Sequence, residues 1–213
     1  MVQEKNELKH KVNELIKWRE NLEKNEVKII DNKLVQIDSK IIKKNEEVEF
    51  LIKALTPKGF IKNCTINFNL IYRASRDGGC AEKYHNKCNK KTNTLCLIKT
   101  RKACIFGGYT ETMVTNGYEK KIDPNAFVFS LNKMKIYDNI KKEEKVVIFW
   151  KDVGPEFVGA FKVKGDDFFE NDVHEVGKKS ESNFGIMNED YELNNGDKNF
   201  NVQELEVFEI IIE

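Results

Sequence analysis

The chain has 213 residues, 33% of them charged and 40% hydrophobic, with 36 basic against 35 acidic side chains and a net charge of +1. That length suits one core-bearing domain plus an extension, and a charged fraction above the roughly 25% of an average domain points to a substantial solvated segment. A net charge this small supplies no field to hold a polyanion or an anionic membrane, so neither nucleic acid nor membrane insertion is expected.

From residue 4 to about residue 55 there is no Pro and no Gly, and Lys, Glu, Asn, Leu, Ile and Val dominate. Local propensity reads this as a long helix. Val27, Ile30, Leu34, Ile37, Ile41, Val48, Leu51 and Leu55 follow alternating steps of three and four, with Lys44 at one seam position. Leu8, Val12, Leu15 and Leu22 form a similar seam upstream, offset by a phase slip through Glu26 that reads as a stutter or as two helices meeting. An apolar stripe of this width needs a partner. Either a second copy of the chain supplies it, making a homo-oligomer through a coiled coil, or the helix folds back on the C-terminal part. Thr56-Pro57-Lys58-Gly59 ends the helix, because the residue before Pro is pushed out of helical conformation. The expected division is therefore a coiled-coil helix over 1–55 and a second domain over 56–213.

Beyond residue 60 the periodicity changes to alternation with short runs between turn residues. Phe68, Leu70 and Tyr72 are expected on one strand face, and Phe127, Phe129 and Leu131 on another. Further strands are expected over 94–99, 103–109, 145–150, 157–163 and 202–212, and a short helix over 80–88. The longest aliphatic and aromatic run, 146–150, is far short of the roughly 20 residues of a spanning helix. Many strands without regular helical crossovers imply antiparallel sheets with a peripheral helix or two. Residues 171–201, rich in Asn, Ser, Gly, Asp and Glu, read as a long surface connection.

Three groups carry candidate chemistry. Arg73, Ser75, Arg76, Asp77 and Gly78 form a strand-to-helix corner: Ser75 or Asp77 can cap the helix, Gly78 can take a positive φ, and Arg73 can pair with a carboxylate on a neighbouring strand. Phe106-Gly107-Gly108-Tyr109 ends a strand with two glycines, the mark of a bulge or a close approach, and lacks the spacing of a phosphate loop. Glu204 and Glu206 alternate onto the face that carries Phe208 and Ile210, so at least one carboxylate should be partly buried and need Arg73 or Arg76 as its partner.

Leu70-Ile71-Tyr72-Arg73-Ala74-Ser75-Arg76-Asp77-Gly78, Tyr84 to Cys88, Thr94-Leu95 with Ile98-Lys99, and Ile105-Phe106-Gly107-Gly108-Tyr109 resemble, in content and order, the first half of a TLDc domain, the module of the oxidation-resistance family. Asn125 to Leu131, a Gly154-Pro155-Glu156-Phe157 turn and Glu204-Leu205-Glu206-Val207-Phe208 resemble its later blocks, so the likeness spans about residues 60–213. Two departures stand out: Gly79 replaces a usually bulky apolar residue, and one extra residue separates Phe157 from Gly159. The resemblance implies a two-sheet antiparallel β-sandwich with short peripheral helices; together with the coiled-coil helix read from the periodicity before it, the expected fold class is α+β. The resemblance further implies a regulatory protein linked to oxidative-stress resistance, with the vacuolar proton-pumping ATPase as a protein partner; the residues themselves lead to the expectation of a cytoplasmic chain. No catalytic mechanism, cofactor or metal comes with the family.

Five cysteines, an odd number, suit a reducing compartment rather than a disulfide framework. On a helix Cys80 and His85 stand apart, so they cannot share a metal ion. If residues 100–103 form a hairpin turn, Cys104 faces Lys99 and Cys96 faces Gly107, and the two thiols are not opposed. The competing enzymatic reading would enlist His85, Glu204 and Glu206 as acid-base groups, or a reactive cysteine.

Overall fold

The computed structural model describes residues 37–56, 65–170, 173–185 and 189–213. A non-helical segment, 37–44, bent at Lys40 and Ile41, leads into helix α1 (Asn45–Leu55). Strand β1 (Ile66–Arg73) is followed by two short helices, α2 (Ala74–Asp77) and α3 (Ala81–Cys88). Then come β2 (Thr94–Thr100), β3 (Ile105–Thr110), β4 (Glu119–Ile122), β5 (Phe127–Ser130), β6 (Lys135–Asp138) and β7 (Lys145–Phe149). The chain closes with β8 (Val153–Phe157), β9 (Phe161–Lys164), β10 (His174–Val176), β11 (Asn199–Phe200) and β12 (Val202–Ile212). The strands form two antiparallel six-stranded sheets, sheet A in the order β1-β12-β2-β3-β5-β6 and sheet B in the order β11-β10-β9-β8-β7-β4.

The inner strands of sheet A are buried on both faces, and their sequences say why. Leu95-Cys96-Leu97-Ile98 in β2 is a continuous apolar run: Cys96 and Ile98 face the core between the sheets, while Leu95 and Leu97 face outward into a second apolar cluster. Val128 points inward and Phe127 and Phe129 outward in the same way. A strand without a polar face demands cover on each side. Segment 37–44 and α1 supply the outer cover, with Ile41, Ile42, Val48, Leu51 and Leu55 all buried in that outer cluster.

The continuous helix expected up to residue 55 is therefore corrected over 37–44, which is not helical. Ser39 Oγ accepts from the backbone N–H of Ile41 at 3.0 Å and of Ile42 at 2.9 Å, a local turn that competes with a helix. Adjacent Ile41 and Ile42 are also both buried, whereas successive helical residues do not share a face. The seam spacing of Val48, Leu51 and Leu55 is real, but it packs on the sheet, the fold-back alternative, rather than on another helix. The upstream seam, residues 8–34, lies outside the described residues. Glu46 and Glu47 in the first turn of α1 and Lys53 in its last suit the helix dipole, and Glu47 Oε2 accepts from the N–H groups of Lys43 and Lys44.

Other expectations are corrected in detail. The β1–β12 register shifts between Leu70 and Tyr72, so Phe68 and Leu70 pack outward while Tyr72 enters the inter-sheet core. The strand expected over 157–163 is a hairpin, β8 and β9, with Phe157 opposite Phe161 and Gly159 turning at φ +70°. Gly154 and Pro155 belong to β8 itself rather than to a turn, beside a register shift between Val153 and Glu156. In the β2–β3 hairpin Cys96 faces Gly108, one position from the expected Gly107, and Cys104 lies opposite Thr100; the two thiols remain unopposed. The polar stretch after residue 172 is anchored rather than loose, since Phe184, Leu193 and Phe200 are buried and β10 and β11 pair.

Candidate functional site

The charged residues singled out in the sequence meet where β1 and β12 run side by side, with Arg73 directly opposite Glu206. Glu206 lies on the outer face of sheet A, beside segment 37–44, and is 0% exposed. Its Oε1 accepts from Arg73 Nε at 2.7 Å and from the Lys40 backbone N–H at 2.8 Å; its Oε2 accepts from Ser39 Oγ at 2.5 Å. Arg73 Nη2 donates to both the carbonyl and the carboxylate of Asp38, each at 2.9 Å. Burial works against the Arg73 charge, but the hydrogen bonds to Asp38 and Glu206 outweigh it and hold the guanidinium above its ordinary range. A buried pair of this kind roughly breaks even against its desolvation, yet removing one partner leaves an uncompensated charge. It fixes strand register and the seat of the N-terminal segment rather than adding much net stability.

The neighbouring corner is also held by its own bonds. Glu204 Oε1 accepts from the N–H of Ser75 at 3.0 Å and of Leu205 at 3.2 Å. Asp77 Oδ2 takes the Arg73 N–H at 2.9 Å and Arg76 Nη2 at 2.8 Å, and Arg76 Nε reaches Oδ1. The Arg76 guanidinium first, then the Arg73 N–H, hold Asp77 below the usual carboxylate range against burial. Arg76 thus pairs locally and leaves the glutamates to Arg73 and Ser75. Gly78 ends α2 at φ +104°, and its carbonyl accepts from Tyr72 Oη at 2.8 Å.

The glycine pair in β3 marks close approaches on both faces. A Cβ at Gly107 would meet the Cys96 carbonyl and the Phe129 ring; one at Gly108 would meet the Phe157 ring at 2.6 Å. Phe106 fills the inter-sheet core and Tyr109 stacks on Phe127 in the outer one. The Phe169 ring occupies the space a side chain at Gly79 would need, which accounts for the small residue there. Gly154 likewise leaves room for Phe168.

His85 is elsewhere and engaged: Nδ1 meets Asn89 Oδ1 at 2.9 Å and Nε2 the Trp150 carbonyl at 2.9 Å, tying α3 to the β7–β8 turn. Among the described residues no group of three His, Cys, Asp or Glu side chains is placed to hold a metal ion. Cys88, Cys96 and Cys104 are buried, and burial raises each thiol, Cys96 up to about 12. Cys80 is half-buried, and Cys64 lies outside the described residues.

The outer face of sheet B is charged and partly solvated, with Ile148 buried within it. Lys120, Ile148, Glu156, Lys162 and Glu175 form one cross-strand row, each opposite the next. Lys162 sits 2.9 Å from Glu156 Oε2 and 4.4 Å from the Trp150 ring centre, while Glu175 pairs with Lys164 and Lys198. A concavity of about 350 Å³ lies here, lined among others by Glu156, Lys162, Glu175, Lys178 and Tyr191. Arg73, Glu204, Glu206 and His85 do not line it. The sequence reading missed this row, although the alternation of Phe161 and Val163 with Lys162 and Lys164 signals a half-solvated strand. It also missed Ser39 and Asp38, whose turn-forming side chains interrupt the apparent helix.

The arrangement is that of a β-sandwich with an outer strap, whose buried ionic groups lock strands together. The family model of the TLDc domain matches residues 36–211, so the chain belongs to the TLDc family, and the match takes in the segment that covers sheet A. No match was found among curated proteins.

Proposed function

We propose that this TLDc protein works by binding another protein rather than by catalysis, in resistance to oxidative stress. The observation that carries the reading is the commitment of every candidate acid-base group: Glu204, Glu206, Arg73 and His85 each hold the fold through hydrogen bonds, and none of them lines the concavity on sheet B. Three buried thiols with raised pKa values are poor nucleophiles. The face offered to a partner is that of sheet B, where Tyr191 and alternating charges line the concavity and Trp150 lies under the Lys162 ammonium beside it. Aromatic residues ringed by charge are common at interfaces. The family makes the vacuolar proton-pumping ATPase the first partner to test.

Capture from cell extract with and without oxidative challenge, followed by binding to the purified pump, tests the reading: recovery of the pump supports it. Steady consumption of peroxide by the purified protein, without added thiol enzymes, would replace it with an enzymatic role. A homo-oligomer through the N-terminal seam is a further part of the proposal, restricted to residues 8–34. Ile41, Val48, Leu51 and Leu55 are already packed within the domain. Sedimentation of the full chain against a chain lacking residues 1–34 checks it.

A further inference from the structure

Segment 37–55 is a strap. It covers an apolar face that includes Leu95, Leu97, Phe129, Phe208 and Ile210, and its entry is pinned by contacts to one carboxylate. Of those contacts, Ser39 is the chemically switchable one. Its Oγ donates to Glu206 Oε2 at 2.5 Å while accepting from the N–H groups of Ile41 and Ile42, so one hydroxyl both turns the chain and fastens it. Ser39 is half-buried at the rim, in non-helical chain followed by exposed Lys40, Lys43 and Lys44.

We propose that Ser39 is a phosphorylation site and that its modification unlatches the strap. In the reaction a serine kinase transfers the γ-phosphoryl group of ATP to Ser39 Oγ: the new O–P bond forms, the β,γ-anhydride bond breaks, ADP leaves and the hydroxyl proton passes to the kinase base. The product no longer donates to Glu206. It also brings a charge of about −1.5 to −2 against a carboxylate that is 0% exposed. Arg73 is already committed to Glu206 and Asp38 and cannot neutralise a third anion without giving one up. Because the hydroxyl is engaged in the closed form, the kinase acts on the chain while the strap is transiently lifted, and the phosphate then opposes its return. The non-helical backbone and the exposed lysines that follow suit a kinase that prefers basic sequences. The inference concerns the face opposite the proposed binding surface and stands independently of it.

The test uses the full chain made with phosphoserine at position 39, compared with the unmodified protein and with Ser39→Ala. Hydrogen exchange is expected to run at least about tenfold faster over 41–55 in the phosphorylated protein than in Ser39→Ala, with β7 to β9 unchanged. Exchange equal to that of Ser39→Ala, or acceleration spread through both sheets, would overturn the proposal. In a second arm, a basophilic serine kinase with ATP is expected to modify Ser39 several-fold faster in Glu206→Gln than in the native chain, read by mass spectrometry. Equal rates would show that modification needs no opening, and no modification in either protein would dismiss the site.

Discussion

The two outer faces of the sandwich are finished in opposite ways. On sheet A the outward set is Leu95, Leu97, Phe127, Phe129, Phe208 and Ile210, and water is kept from it by a strap of chain from outside the sheet. On sheet B the outward set is Lys120, Glu156, Lys162 and Glu175, with buried Ile148 among them, and the charges stay partly solvated while pairing across strands. Glu206 shows what happens when a charge falls on the wrong face: it is kept only because Arg73, Ser39 and Lys40 meet it. A charge costs little on an open face, and on a covered one it requires a full set of partners.

Substitutions can break this contrast. Arg73→Ala leaves Glu206 buried without its guanidinium, and a loss of about 3–5 kcal/mol is expected in urea unfolding. Leu51→Ala, in the strap, is expected to lose about 2–5 kcal/mol, with hydrogen exchange rising first over 41–55. A uniform rise in both sheets would mean that the strap is no separate unit. On the open face, Glu175→Ala with Lys178→Ala should change stability by about 1 kcal/mol or less, the scale of exposed ion pairs. If that face binds the partner, affinity should nonetheless fall about tenfold in titration, a loss of about 1.4 kcal/mol.

Two smaller effects sharpen the picture of the core. His174 is fully buried; its Nδ1 accepts from the Lys164 N–H at 3.0 Å and its Nε2 donates to the Phe168 carbonyl at 2.9 Å, so the ring is neutral. Burial holds its pKa below the ordinary value of about 6.5. The unfolded chain then binds the proton first, so the stability contributed by the neutral ring is present above that value and is lost as pH falls through the folded pKa. Urea midpoints at a series of pH values from neutral to acid should decline accordingly, and less steeply in His174→Gln. Alkylation followed by mass spectrometry should label Cys80 before Cys88, Cys96 and Cys104, because burial both shields those three thiols and raises their pKa values.

Much of the fold was legible from residue order alone. The last strand runs from Val202 to Ile212 as alternation indicated, the helix after Cys80 ends at Cys88, and Gly78 takes its positive φ. The guanidinium-to-carboxylate contact between first and last strands was also legible, because a Glu sharing a strand face with Phe208 and Ile210 has to find a cation. What misled was periodicity over residues 37–55. Steps of three and four report that a helix has an apolar stripe and say nothing about what covers it. Ile41, Val48, Leu51 and Leu55 fit a coiled-coil seam as well as they fit the back of a sheet.

Local patterning and residue chemistry, which act over a few neighbours, therefore determined the strands, the turn glycines and the need for a buried ion pair. Only the tertiary structure decided that the strap lies on sheet A, that Ser39 and Lys40 complete the coordination of Glu206, and that Phe169 fills the space beside Gly79. Those contacts join residues as far as 167 positions apart. Which distant surfaces meet is chosen by mutual fit and burial of the whole chain, and no stretch of sequence carries that choice by itself.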